Sequence, residues 1–194
     1  MRAIKNSELI QMMKQRRVLI EPILNCQAQV PGNDVGVDLR LDVSFWEFSR
    51  TSEHSLNAAI KARPLTSHRL EFLRDSFFLQ PGEFVLALSF EYIWLPNNVL
   101  ALLNGKSSLA RRGLVVHATA NVIDPGWKGH IVFELANLGK MPIELFPLMR
   151  IARLIPFIEE YSMGNYRGEF SCQIKVEQPY VDYEALAIKD AMED

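Results

Sequence analysis

Cysteine is scarce in this 194-residue chain: there are two, Cys26 and Cys172, far apart and in no CxxC arrangement. A disulfide scaffold is not expected at this size, so the pair reads as reduced thiols of a cytoplasmic protein. Long apolar runs are missing as well. No stretch approaches the ~20 residues a transmembrane helix needs, and MRAIKNSELIQMMKQRR at the N-terminus is broken by charge where a signal peptide would be apolar. Neither sign of charge dominates: 21 basic and 23 acidic residues give a net charge of −2. That balance leaves no footprint for duplex nucleic acid and no polybasic membrane patch. One cationic loop would still suffice for a small anion. Metal signatures are lacking too. His54, His68, His117 and His130 are scattered, and neither an HxE…PCxxC set nor a GxSxG or Cys/His nucleophile pattern occurs. Zinc chemistry is therefore not expected.

What is present is a chain of ordinary composition, 48% hydrophobic and 23% charged, long enough to bury one core. A single domain over residues 1–194 is expected, with a polar tail or lid from about 160 onward. Residues 6–17 suit a helix, with Ser7 as cap and Leu9, Ile10 and Met13 on one face. GVDLRLDVSFWEF alternates, placing Val37, Leu39 and Leu41 on one side and Asp38, Arg40 and Asp42 on the other, which is strand periodicity. Residues 49–76 read as an irregular excursion, with a short helix near Leu56–Lys61. From Phe77 onward short apolar runs alternate with turns at Pro81-Gly82, Pro96-Asn97-Asn98 and Asn104-Gly105. The pattern predicts a mostly-β barrel or sandwich with an N-terminal helix and a few short helices.

Three segments carry residues suited to chemistry. GKSSLARRG (105–113) places Lys106, Ser107 and Ser108 at the start of a short helical turn, with Arg111 one turn on. Free N–H groups, two hydroxyls and a lysine there could cradle a phosphate. A capped turn with solvated basic residues accounts for the same segment, because GKSS lacks P-loop spacing. In DPGWKG, Asp124 suits a Pro-Gly turn, and Trp127 is either a ring for a ligand or a cover on the core. Glu134 is the odd residue. In HIVFELAN, Ile131, Phe133 and Leu135 face one way and Val132, Glu134 and Ala136 the other, so both strand faces look partly buried. A carboxylate so placed needs a partner such as Arg111, or burial raises its pKa toward the range of general acid–base work.

Together these segments resemble the dCTP deaminase branch of the dUTPase-like superfamily. The resemblance runs in order through GVDLRL (36–41), PGEFVLALSFEYIWLP (81–96), GKSSLARRGL (105–114), HATANVIDPGWKGHIVFELANLG (117–139) and PIELFPLMRIARLIPF (142–157). It implies a distorted β-barrel of jelly-roll type, assembled as a homotrimer with active sites shared between subunits. The implied reaction is zinc-independent hydrolysis of dCTP to dUTP and ammonia, with Mg2+ carried by the triphosphate. Glu134 would be the general base. Ser107, Arg111 and the carbonyl of Ala120 would orient the water and the amino group. Lys106, Ser107 and Ser108 would hold the triphosphate, Asp124 and Trp127 the deoxyribose.

The tail run GNYRGE would place Tyr166 and Glu169 over the phosphates, with Asn165 and Glu169 standing where the family has lysine and glutamine. Leu148 replaces a glycine common in the turn before the last strand. A simple deaminase is the first reading. A bifunctional deaminase and pyrophosphatase giving dUMP, with Asp124 activating a second water, is the alternative, and a non-catalytic nucleotide-binding regulator ranks third.

Overall fold

Apolar residues at every second position build the long strands, and their ladders set the rest of the fold. A computed structural model of the chain describes residues 1–32, 34–48, 65–70, 74–168 and 172–175. The elements begin with β1 (Arg2–Ala3), α1 (Asn6–Lys14), β2 (Leu19–Glu21), α2 (Cys26–Gln29), β3 (Val37–Phe48) and β4 (Leu65–Arg69). Next come β5 (Phe77–Leu79), β6 (Phe84–Trp94), β7 (Val99–Gly105), α3 (Ser107–Ala110) and β8 (Leu114–Val115). The described elements close with β9 (Val122–Ile123), β10 (Lys128–Asn137), β11 (Ile143–Leu145) and β12 (Arg150–Ile158). The expected mostly-β fold is the one observed.

The main sheet runs β8-β10-β6-β3-β12-β7-β9, with β1, β2 and β4 paired at its sides and β5–β11 forming a separate ribbon. Its ladders are antiparallel. β3 changes partners along its length: Val37–Arg40 pair with β12, whereas Leu41–Glu47 pair with β6. Register shifts fall between Leu41 and Phe45, between Arg150 and Ala152, and between His130 and Val132. Such bulges bend strands and add twist, which curls the sheet into a distorted barrel. Leu39, Leu41, Phe45, Ile93, Leu103, Phe133, Leu135 and Leu154 fill its concave side.

Three expectations change. The N-terminal helix ends at Lys14, and Lys5, not Ser7, stands at its N-cap without a side-chain cap bond. Asn6 is instead buried and donates through Nδ2 to the carbonyl of Pro31 at 2.8 Å. The excursion of 49–76 contains strand β4, because the β3 edge offers hydrogen bonds to a polar segment that has no apolar alternation of its own. The helix expected near Leu56–Lys61 lies outside the described residues. Finally, Asp38 and Arg40 do not face solvent. They are 1% and 8% exposed; Asp38 is met by the cations described below, whereas the Arg40 side chain opens toward a hollow.

Candidate active site

The loop after β7 begins with Lys106 at the N-cap of α3, and no side chain closes that cap. Ser107 and Ser108 are both exposed, and neither hydroxyl is engaged among the described residues. The turn is held by its backbone, with Ala110 N–H donating to Lys106 at 3.0 Å and Arg111 N–H to Ser107 at 3.1 Å. It stops at Gly113, whose φ of +96° and distance from Gly139 both require glycine: a Cβ there would lie 2.4 Å from the Gly139 nitrogen.

The DPGWKG turn joins β9 to β10. Asp124 is exposed, its carbonyl accepts from Trp127 N–H at 3.1 Å, and Gly126 takes the positive φ, +82°, that the turn demands. Trp127 proves to be core on one side, 8% exposed, and cavity wall on the other. Its indole Nε1–H is buried and finds no acceptor among the described residues, so a donor is left available there.

Glu134 follows the predicted alternation: Ile131, Phe133 and Leu135 are buried, while Val132, Glu134 and Ala136 are half-buried. Its Oε2 accepts from the backbone N–H of Ala118 at 2.7 Å. That donor lies in the loop after β8, which β10 itself holds through Glu134 N–H to Val116 at 3.0 Å. Arg111 is exposed, and among the described residues no ion pair joins it to Glu134 within this chain.

A cavity of about 500 Å³ collects Glu134, Ala120, Asp124, Trp127 and Tyr166. Of its remaining walls, Phe48, Phe84, Leu86 and Val132 are apolar, and Gln173 is a buried amide. The volume suits a nucleotide base and sugar, and the mixture of apolar walls with few polar groups is that of a small-molecule site. Tyr166 reaches it because its N–H donates to Pro125 at 2.7 Å and its ring lies 5.1 Å from that of Trp127. Lys106 does not line this cavity, but a separate hollow with Arg40 and Arg150. Ser107, Ser108 and Arg111 line neither. Glu169 lies outside the described residues. One chain thus divides the expected site residues into two groups.

Sequence reasoning missed several polar residues near these groups. Asp38 accepts from Lys106 Nζ, from Arg153 Nε at 3.0 Å and from Arg150 Nη1 at 3.3 Å. Glu91, fully buried, accepts from Gln29 Nε2 at 2.8 Å and from Arg40 N–H at 2.9 Å. Burial pushes the Glu91 carboxyl up to about 7, against these hydrogen bonds and the Arg40 charge. The sequence offers one usable cue for the cavity walls: FVLALSF in β6 lacks polar alternation, as a strand apolar on both faces does.

Residues 3–157 match a family model described as dCTP deaminase-like. A "dCTP deaminase, dUMP-forming" of Thermobifida fusca (strain YX) is 43% identical over 136 residues, covering 70% of this chain and 69% of that one. Its counterpart in Streptomyces griseus subsp. griseus, of the same name, is 44% identical over 137 residues, covering 69% of this chain and 72% of that one. The crystal structure of a 2'-deoxycytidine 5'-triphosphate deaminase from Agrobacterium tumefaciens superposes with a TM-score of 0.63 at 19% identity. That match takes in 81% of this chain but 48% of the other, so this chain spans about half of that protein, and the likeness is one of fold.

Proposed function

Because the chain belongs to the dCTP deaminase-like family, we propose that it hydrolyses dCTP to dUTP and ammonia and carries dUTP on to dUMP and pyrophosphate. The sequence reading placed the simple deaminase first; the dUMP-forming relatives reverse that order. The observation that carries the proposal is that Glu134 and Asp124 line one cavity with Ala120 and Trp127. Two carboxylates with different surroundings suit two hydrolytic steps.

In the first step Glu134 takes a proton from water as its oxygen adds to the pyrimidine carbon bearing the amino group. That proton passes to the adjacent ring nitrogen, and the remaining hydroxyl proton is relayed through Glu134 to the amino group, which leaves as ammonia as the carbonyl forms. The Ala118 N–H bond fixes the carboxylate for this work. Ser107, Arg111 and the carbonyl of Ala120 orient the water and the leaving amine. In the second step Asp124, exposed at the lip of the turn, activates a water that attacks the α-phosphorus and expels pyrophosphate. Lys106, Ser107 and Ser108 hold the triphosphate, Mg2+ enters with it, and Tyr166 and Glu169 belong to the tail that closes over it. Trp127 supports the deoxyribose.

The division of these residues into two groups within one chain supports a homotrimer in which α3 of one copy faces β10 of the next. Exposed thiols at Cys26 and Cys172 suit the cytoplasm. Among the described residues no helix is long and apolar enough to cross a membrane.

The test is product analysis after incubation with dCTP and Mg2+. dUMP and pyrophosphate without accumulating dUTP are expected. dUTP as end product would return the simple deaminase to first place, and no turnover would sink both. Glu134→Gln, which cannot take the proton, is expected to lose roughly 10²–10⁴-fold in kcat while still binding dCTP. Near-normal turnover by that variant would remove Glu134 from the base role.

A further inference from the structure

The hollow that holds Lys106 carries more charge than a lysine and two hydroxyls require. It measures about 510 Å³, and Arg40, Lys106 and Arg150 converge on it beside Leu148 and Met149. Three like charges brought together repel one another, and the protein supplies little to offset them. Asp38 is the nearest counter-charge, yet it is shared among Lys106, Arg150 and Arg153. Arg153 brings a further partner in Asp34, at 2.7 Å.

Arg40 is the sharper case. It is 8% exposed and lines the hollow, and none of the described residues accepts a hydrogen bond from its guanidinium. Its guanidinium nitrogens are not sealed off from solvent, so they stand open to a charge of opposite sign that enters the hollow. Glu91 lies close enough to feel the guanidinium charge, but its carboxyl is committed to Gln29 and to the Arg40 backbone.

One wall of the hollow is also under strain. Leu148 sits at φ +67°, a left-handed conformation that is strained for a residue with a branched side chain. Glycine would adopt it freely but would leave no side chain there. Strain retained at a cavity wall is a pointer to use of that wall.

We propose that Arg40 and Arg150 join Lys106 in a polyphosphate cradle that takes the β- and γ-phosphates of a nucleoside triphosphate. The inference rests on the reading above that the substrate is such a triphosphate, and it adds two residues to the site. Arginine forks match phosphate oxygens in bidentate geometry, and three cations suit an anion with several charges.

The test separates this cradle from the chemistry. Inorganic tripolyphosphate is titrated calorimetrically into the full chain, its Arg150→Ala variant and its Arg150→Lys variant, and dCTP kinetics are measured on the same three proteins. Wild type is expected to bind tripolyphosphate, Arg150→Ala about tenfold more weakly, with Arg150→Lys between them. The KM for dCTP should rise by about the same factor in Arg150→Ala with kcat little changed. Equal binding by wild type and Arg150→Ala, or none by wild type, overturns the cradle even if dCTP is turned over. Binding that is lost with Arg150 in a chain that does not deaminate dCTP upholds the cradle and overturns the deaminase reading instead.

Discussion

Glu91 is a buried carboxyl whose effect on stability is simple to measure. Burial raises its carboxyl from an ordinary 4.5 to about 7, while Gln29 and the Arg40 N–H pull the other way and lose. Between those two values the folded chain keeps a proton that the unfolded chain has released. Its contribution to stability is therefore full below about pH 4.5 and is lost as pH rises through about 7. At 1.36 kcal/mol per unit the loss approaches roughly 3 kcal/mol. Urea denaturation between pH 5.5 and 8 should show wild type weakening as pH rises, and Glu91→Gln with a flatter profile. The variant should be weaker at acid pH, because an NH2 group replaces one of two oxygens that both face donors. Parallel profiles for the two proteins would assign the slope to another group.

Strands and turns differed in how far the sequence exposed them. β10 was legible because period-2 burial requires period-2 apolarity, and Gly126 was legible because a Pro-Gly turn requires a positive φ. The buried charges of β3 were not, since Asp38 and Arg40 alternate with apolar residues just as a solvated face would. For Asp38 the partners come from strand β12 and the α3 loop, far away in sequence, and for Arg40 the nearby charge is Glu91 of β6. Gly129 was equally hidden. It holds φ +139°, and a Cβ there would lie 2.6 Å from the nitrogen of Gln173. Through it, residues 172–175 return across the start of β10: Cys172 N–H donates to Lys128 and His130 N–H to Gln173, both at 2.8 Å. Gly129→Ala should detach this return and with it the Gln173 wall of the cavity. Hydrogen exchange is expected to quicken at the His130 amide while the amides of Phe133 and Leu135 stay protected. Unchanged protection of His130 would mean that the return does not depend on the glycine.

The whole molecule poses the question that no single element answers, which is where the two halves of the site meet. Glu134, Asp124 and Trp127 line one cavity of the chain, and Lys106 lines another; Arg111 stands exposed with no ion pair to Glu134 among the described residues. Folding alone does not bring a base and its proposed arginine together, but closed cyclic assembly would, by setting α3 of each copy against β10 of its neighbour. Mixing inactive subunits tests this directly. Glu134→Gln lacks the base and Arg111→Ala lacks the positioning cation, so each alone should turn over little dCTP. When the two are co-expressed and assemble at random, a site is whole if its β10 comes from the arginine variant and its α3 from the glutamine variant. Each condition is met about half the time, so on the order of a quarter of the wild-type activity should return. If both groups acted within one chain, every site in the mixture would carry one defect and no activity would return. The share of activity regained therefore reports, independently of any measured mass, whether the catalytic unit is one copy or the contact between two.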